Sequence, residues 1–272
     1  MTKPTRSCHP LPKSIARAIV LTLIAGIAHP ARAADATAES DLSVTPYRPS
    51  VSTPASLSAP GYLEFELGGV AARSAGSSRR QSLPYDLKLA FNRDWGLRVS
   101  GDAWVRQTDS TGERLKGFGD TSVVLKHRIE VNDASAFGVE LGATGPTARS
   151  GLGIDRTAYL LTGIYSADIG SWHTDLNLAA TRFGTVEGPV GRTQRLWAAS
   201  LSRALSDRVG VSAELSGTNQ RGMAATSQLL LAASYAVSKT LVLDAGLAQS
   251  LRTGAADRSF FAGMTVLGPR LF

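Results

Sequence analysis

His173 and Asp175 stand two residues apart, the spacing that places both side chains on one face of a β-strand. A carboxylate beside an imidazole can act as orienter and base of a nucleophilic site, provided the fold brings in a serine hydroxyl. Beyond the first 33 residues His127 is the only other histidine. Two separated histidines with no cysteine after Cys8 offer no zinc-ligand spacing. Acidic residues are scattered singly, without a calcium-loop pattern. Gly151-Leu152-Gly153 lacks the strand–turn–helix setting of a nucleotide loop. A barrel-wall hydrolase is the third-ranked expectation, and no cofactor or metal is expected.

Charge on alternating segments says more. Glu64, Glu66, Asp86, Lys88, Arg98, Asp102, Lys126, Arg128, Glu140, Asp175, Glu214 and Asp244 share faces opposite runs of Leu, Val, Ile and aromatics. An Arg or Lys facing lipid near the bilayer middle costs roughly 2–4 kcal/mol, so in a membrane barrel these charges point into the lumen. Arg98, Asp102, Lys126 and Arg128 fall on neighbouring segments and are the expected constriction. Arginines in the longer connections, Arg79 and Arg80 foremost, are expected to meet lipopolysaccharide phosphates through the bidentate guanidinium fork.

The chain has 272 residues with a formal charge of +7. Residues 1–33 carry Lys3, Arg6, Lys13, Arg17 and Arg32 and no acid; setting these five aside from 29 basic residues leaves 24 against 22 acidic. No clustered basic footprint remains for nucleic acid. The leader has a basic start, an apolar core at Ala18–Ala28 and Ala31-Arg32-Ala33 before Ala34, the order of a Sec signal peptide cleaved after Ala33. Its apolar run falls short of the roughly 20 residues that span a bilayer. An outer-membrane location in a Gram-negative-type envelope is expected. Ala34–Pro60, with Pro46, Pro49, Pro54 and Pro60, reads as an extended periplasmic lead-in; a plug in the lumen would usually use more residues.

From Gly61 the pattern alternates with period 2, and helix spacing fits none of the runs. Short turns at 92–94, 132–133, 168–170, 206–207 and 238–239 take turns with longer Gly- and Arg-rich links. This is the layout of an all-β, transmembrane up-and-down antiparallel barrel with short periplasmic turns and long external loops. About 12 strands are predicted, near 61–72, 82–92, 95–107, 118–131, 134–144, 156–167, 171–183, 194–205, 208–217, 226–238, 240–251 and 258–271. The barrel domain is therefore 61–272. Phe91, Trp95, Phe137, Tyr165 and Trp172 flank the short turns as an aromatic girdle would. The terminal Phe272 offers the aromatic end by which barrel-assembly machinery reads the last strand, although Pro269 and Arg270 point to a paired strand ending near Leu267.

Gly117-Phe118-Gly119-Asp120-Thr121, followed by Lys126-His127-Arg128, resembles a family of outer-membrane "transporter" proteins assigned to the meta-pathway of phenol degradation. The resemblance runs on through Glu140, Thr144-Gly145, Ile164-Tyr165-Ser166, Leu176-Asn177-Leu178 and Leu243–Leu247, and covers most of 61–272. Where that family has Leu-Pro-Thr-Gly, this chain has Ala143-Thr144-Gly145-Pro146. The resemblance implies a channel for small hydrophobic or aromatic compounds and brings no catalytic residues. The leading expectation is a channel passing small solutes by diffusion through a charged lumen; the second is a closed structural or adhesive barrel.

Overall fold

Strand after strand sets a charge on one face and a branched or aromatic side chain on the other. In the computed structural model, which describes residues 42–74, 78–252 and 256–272, these strands close on themselves. The leader 1–33 and its cleavage site lie outside the described residues. The strands are β1 (Tyr62–Ser74), β2 (Arg79–Ala90), β3 (Trp95–Thr108), β4 (Arg114–Gly117), β5 (Thr121–Asn132), β6 (Ser135–Gly145) and β7 (Ala158–Ile169). They continue as β8 (Trp172–Phe183), β9 (Thr193–Ala204), β10 (Val209–Gln220), β11 (Thr226–Ser238), β12 (Leu241–Ser250) and β13 (Ala256–Arg270).

Neighbours pair antiparallel, and β13 pairs with β1 to complete the ring. β4 adds no stave of its own. It pairs only with the outer end of β3, opposite Val105–Thr108, and β5 resumes the pairing with β3 at Gly101–Thr121. The barrel thus has twelve staves, one of them interrupted at Phe118–Asp120.

The core logic of a soluble protein is inverted. Lys126 and Glu64 are 0% exposed, whereas Leu178 is 72% and Leu161 52% exposed. Burying carboxylates and ammonium groups while baring Leu is favourable only where lipid surrounds the wall and a polar interior lies within it. At the short-turn end Trp95 stacks on His127 with ring centroids 4.2 Å apart, Phe137 meets Tyr165 at 5.1 Å, and Arg203 lies 5.4 Å from the Trp172 ring. Amphipathic rings belong at that headgroup level.

Two local expectations change, the apolar row Leu97, Val99, Ala103 and Val105 that strict alternation would set on one face and the end of the last strand. β3 carries one extra residue against β2, between the pairs Pro84–Asp102 and Ser82–Val105. A one-residue slip exchanges the faces, so Val105 turns in and is fully buried while Trp104 turns out. The last strand does not stop near Leu267. A bulge between Glu64–Leu267 and Tyr62–Arg270 absorbs Gly268 and Pro269, and pairing continues to Arg270. Proline is tolerated at such a bulge because the ladder hydrogen bond is already interrupted there.

Candidate functional site

Residues 42–60, expected as a periplasmic lead-in, lie instead within the barrel wall. Such a segment has backbone N–H groups and no strand partner, and buried N–H groups must find acceptors. The inner wall supplies them as side chains. Thr45 N–H donates to Glu64 (2.9 Å), and Tyr47 and Arg48 N–H donate to the two oxygens of Glu66 (2.7 and 3.2 Å). Val51 N–H, Ser52 N–H and the Ser52 hydroxyl all donate to Glu214, at 2.9, 2.8 and 2.8 Å. Thr53 exchanges two bonds with the Asn177 amide (2.8 and 3.0 Å), and Ala55 N–H donates to the Ser166 hydroxyl at 2.7 Å. Prolines 46, 49 and 54 have no N–H to satisfy, so the wall needs fewer acceptors than the length implies. A short plug suffices because bonds from five wall residues hold it, those to Glu64, Glu66 and Glu214 charge-assisted.

Wall cations bind the segment's carbonyl groups and its aromatic ring. Lys88 Nζ donates to Thr45 C=O and to Glu66, and Lys126 Nζ donates to Pro54 C=O and, at 3.0 Å, to the Tyr47 hydroxyl. Both ammonium groups lie over the Tyr47 ring, 4.0 and 4.3 Å from its centroid, with the Arg98 guanidinium at 5.2 Å. Such contacts strengthen where water is excluded. Arg48 reaches across to Asp244 at 3.3 Å. Its guanidinium fits because Gly68 and Gly263 face it: a Cβ on Gly68 would stand 2.2 Å from Arg48 Nη2.

The segment lies between two cavities. One, of about 450 Å³, opens among Arg80, Tyr85, Asp102, Thr144 and Leu152 on the long-loop side. The other, of about 560 Å³, lies among Asp168, Trp172, His173, Ser200 and Ser234 on the short-turn side. Tyr47, Arg48 and Ser50 line both.

The expected constriction set is only partly assembled. Arg98 bonds Asp86 (3.1 Å) and Glu140 (3.0 Å), and Lys126 lies 3.6 Å from the same Glu140. These two stand at the waist. Asp102 is higher, paired with Arg80 at 2.9 Å, and Arg128 is at the short-turn rim, paired with Glu130 at 2.8 Å. Arg80 therefore turns into the mouth, where it also donates to Gln107, rather than outward with Arg79 as expected for lipopolysaccharide contact. Adjacent residues of a strand take opposite faces, and β2 begins at Arg79.

The Asp120 of the Gly-Phe-Gly-Asp-Thr segment has a mechanical role. Its carboxylate accepts N–H bonds from Ala148 (3.0 Å) and Ile154 (2.6 Å), folding the 145–155 link over the mouth and burying Leu152. Gly153 lies against it; a Cβ there would be 2.2 Å from Asp120 Oδ2.

Around His173 both ring nitrogens face carboxylates, Asp168 at 2.6 Å and Asp175 at 3.1 Å. The nearby Ser166 and Ser200 hydroxyls donate to Asp175 rather than to the imidazole. A serine–histidine relay needs the hydroxyl on the ring nitrogen, and this order is different. Among the described residues no group of three or more His, Cys, Asp or Glu side chains has metal-holding geometry.

Solved structures with the same architecture include an outer-membrane channel from Pseudomonas putida F1, matched with a TM-score of 0.60 at 15% identity over 78% of this chain and 97% of that one. The NanC porin matches at TM-score 0.58 and 10% identity, over 74% and 98%, and the KdgM porin at 0.54 and 10%, over 75% and 98%. The fold is the closed twelve-stranded antiparallel barrel that these outer-membrane proteins share. No family profile and no curated sequence matches the chain. Within this barrel, sequence reasoning missed Tyr47, Arg48 and the 51–55 stretch as waist residues. The available signal was the surplus of lumen carboxylates, Glu64, Glu66, Glu140, Glu214 and Asp244, which exceed the wall's own cations at the waist.

Proposed function

We propose that the protein is an outer-membrane channel for small solutes, with a waist made by residues 44–57 against the inner wall. The observation that carries this reading is the pair of cavities separated by a segment held through side-chain bonds rather than strand pairing. Side-chain bonds can be exchanged one at a time for bonds to water or solute, whereas a paired strand separates cooperatively. A solute entering the 450 Å³ chamber meets the Arg98–Asp86–Glu140 group and the Tyr47 ring, then passes to the 560 Å³ chamber. Selectivity comes from these charges and from the folded 145–155 link. Hydrophobic or aromatic solutes are the class implied by the sequence resemblance, and an aromatic ring at the waist supports that choice. Export by the Sec route and insertion by assembly machinery reading the last strand, β13, complete the proposal.

A filled waist is also what a closed structural or adhesive barrel would have. Single-channel recording of the refolded chain from Ala34 in a planar bilayer separates the two. Discrete conductance steps, enlarged in Tyr47→Ala, are expected of the channel. Silence from protein whose heat-shifted gel migration proves it folded would favour the closed barrel.

A further inference from the structure

The outer face of the long-loop end carries a row of cations that register brings together from distant parts of the chain. Arg258 of β13 is directly opposite Arg73 of β1, and Arg73 is directly opposite Arg79 of β2. Arg79 faces Thr108 of β3, which faces Arg114 of β4; one rung nearer the middle, Arg106 of β3 faces Lys116 of β4. Directly opposed residues share a face with Cβ atoms about 4.5–5.5 Å apart. That face is the outer one. Phe260, two residues from Arg258, is 61% exposed, and Phe118, two residues from Lys116, is 70% exposed.

Six cations thus occupy five contiguous strands, just beyond a lipid-facing band that includes Phe260, Phe118 and Trp104. Among the described residues none of the six is ion-paired; Arg258 donates only to the Gln249 amide. On the opposite side of the outer wall the exposed cations at that end, Arg182 and Arg195, are not directly opposed to one another. Like charges directly opposed across strands are destabilising, and here two such pairs share Arg73. An anion between them turns that repulsion into attraction.

We propose that this row, Arg258–Arg73–Arg79 with Arg114, Arg106 and Lys116, is a docking site for the phosphorylated glycolipid of the outer leaflet, the lipid A part of lipopolysaccharide. Its two headgroup phosphates span neighbouring guanidinium forks, which bind phosphate oxygens in parallel pairs. Its acyl chains descend along Phe260, Phe118 and Trp104. A free phosphate would use the forks but gain nothing from the apolar band, which is why the lipid is the fitting ligand. The site uses Arg79 and excludes Arg80. It requires the long-loop end to be external and is independent of whether solute passes the waist.

The test is native mass spectrometry of the folded protein in detergent with bisphosphorylated lipid A, its dephosphorylated form and inorganic phosphate. The compared variants are Arg73→Glu/Arg79→Glu/Arg114→Glu and, as a control that reverses charge elsewhere on the outer face, Arg182→Glu/Arg195→Glu. Heat-shifted migration verifies folding of each, and Arg73→Gln/Arg79→Gln serves if the triple reversal misfolds. Retention of bisphosphorylated lipid A should fall about tenfold or more in the row variant and stay within about twofold in the control, with dephosphorylated lipid binding weakly throughout. Equal retention by wild type and row variant, equal loss in the control, or complete displacement of the lipid by millimolar phosphate would each overturn the proposal.

Discussion

Glu214 offers the sharpest perturbation of the waist. It is 1% exposed on β10, and its carboxylate accepts from Val51 N–H, Ser52 N–H and the Ser52 hydroxyl at 2.8–2.9 Å. Glu214→Ala removes all three acceptors at once. A hydrogen bond to a charged group contributes about 1.5–3 kcal/mol net, and the freed donors regain part of this from water entering the space left by the side chain. A loss of about 3 kcal/mol for the three together follows, which raises the population of the unseated segment by about two orders of magnitude. Amide hydrogen exchange reads this directly: Val51 and Ser52 should exchange about a hundredfold faster, while the β10 and β11 ladders keep wild-type protection. Glu214→Gln, which keeps one carbonyl acceptor, should fall between. In the same preparation single-channel records should show longer visits to a larger conductance. Unchanged exchange at residues 51 and 52 in a folded Glu214→Ala protein would refute the claim that wall carboxylates hold the segment.

Four further outcomes are expected. Arg98→Gln leaves Asp86 and Glu140 without their shared cation, so reversal potentials in a salt gradient should move toward cation selectivity; Arg128→Gln, at the rim, should move them much less. Gly153→Ala forces a Cβ against Asp120 and should cost about 1–3 kcal/mol of loop ordering, seen as faster proteolysis within 145–155 while the barrel keeps its heat-shifted migration. Gly68→Ala should dislodge the Arg48 guanidinium and mimic loss of the Arg48–Asp244 pair, measured as increased conductance matching that of Arg48→Gln. In the loop after β3, hydrogen bonds from the Thr111 hydroxyl and from the N–H groups of Glu113 and Thr111 hold the Asp109 carboxyl below its ordinary range. Stability from a depressed carboxyl pKa is present above the unfolded value and lost as pH falls through the folded one. Amide exchange at Thr111 and Glu113, corrected for its intrinsic pH dependence, should therefore stay protected in mild acid and open only in stronger acid.

Strand existence and the sense of each face were legible because the signal is local: a period of two, with charge on one parity and Leu, Val or aromatics on the other, does not depend on which strand lies alongside. Twelve staves, the alternation of short and long connections and the short-turn girdle at Trp95, Phe137 and Trp172 follow from that pattern. Val105 escaped it because a bulge is a property of two strands, arising only where β3 meets β2 with one residue to spare. Arg80 was assigned outward because it was read as loop; once β2 is seen to start at Arg79, parity alone turns it inward.

The waist lay further out of reach. Pro46, Pro49 and Pro54 declare only that residues 42–60 are neither helix nor central strand. Besides Glu64 and Glu66 nearby, what holds them are Glu140, Ser166, Asn177, Glu214 and Asp244, between 87 and 196 positions away along the chain. Barrel closure is what gathers those side chains onto one inner surface. Closure likewise lines up Arg258 with Arg73, which lie at opposite ends of the barrel sequence. Away from the β3 bulge and the start of β2, sequence by itself determined which residues face lipid and which face the lumen, since that depends on parity. Tertiary structure alone decided what those residues meet, since partners across a closed sheet are set by register and shear rather than by any spacing along the chain.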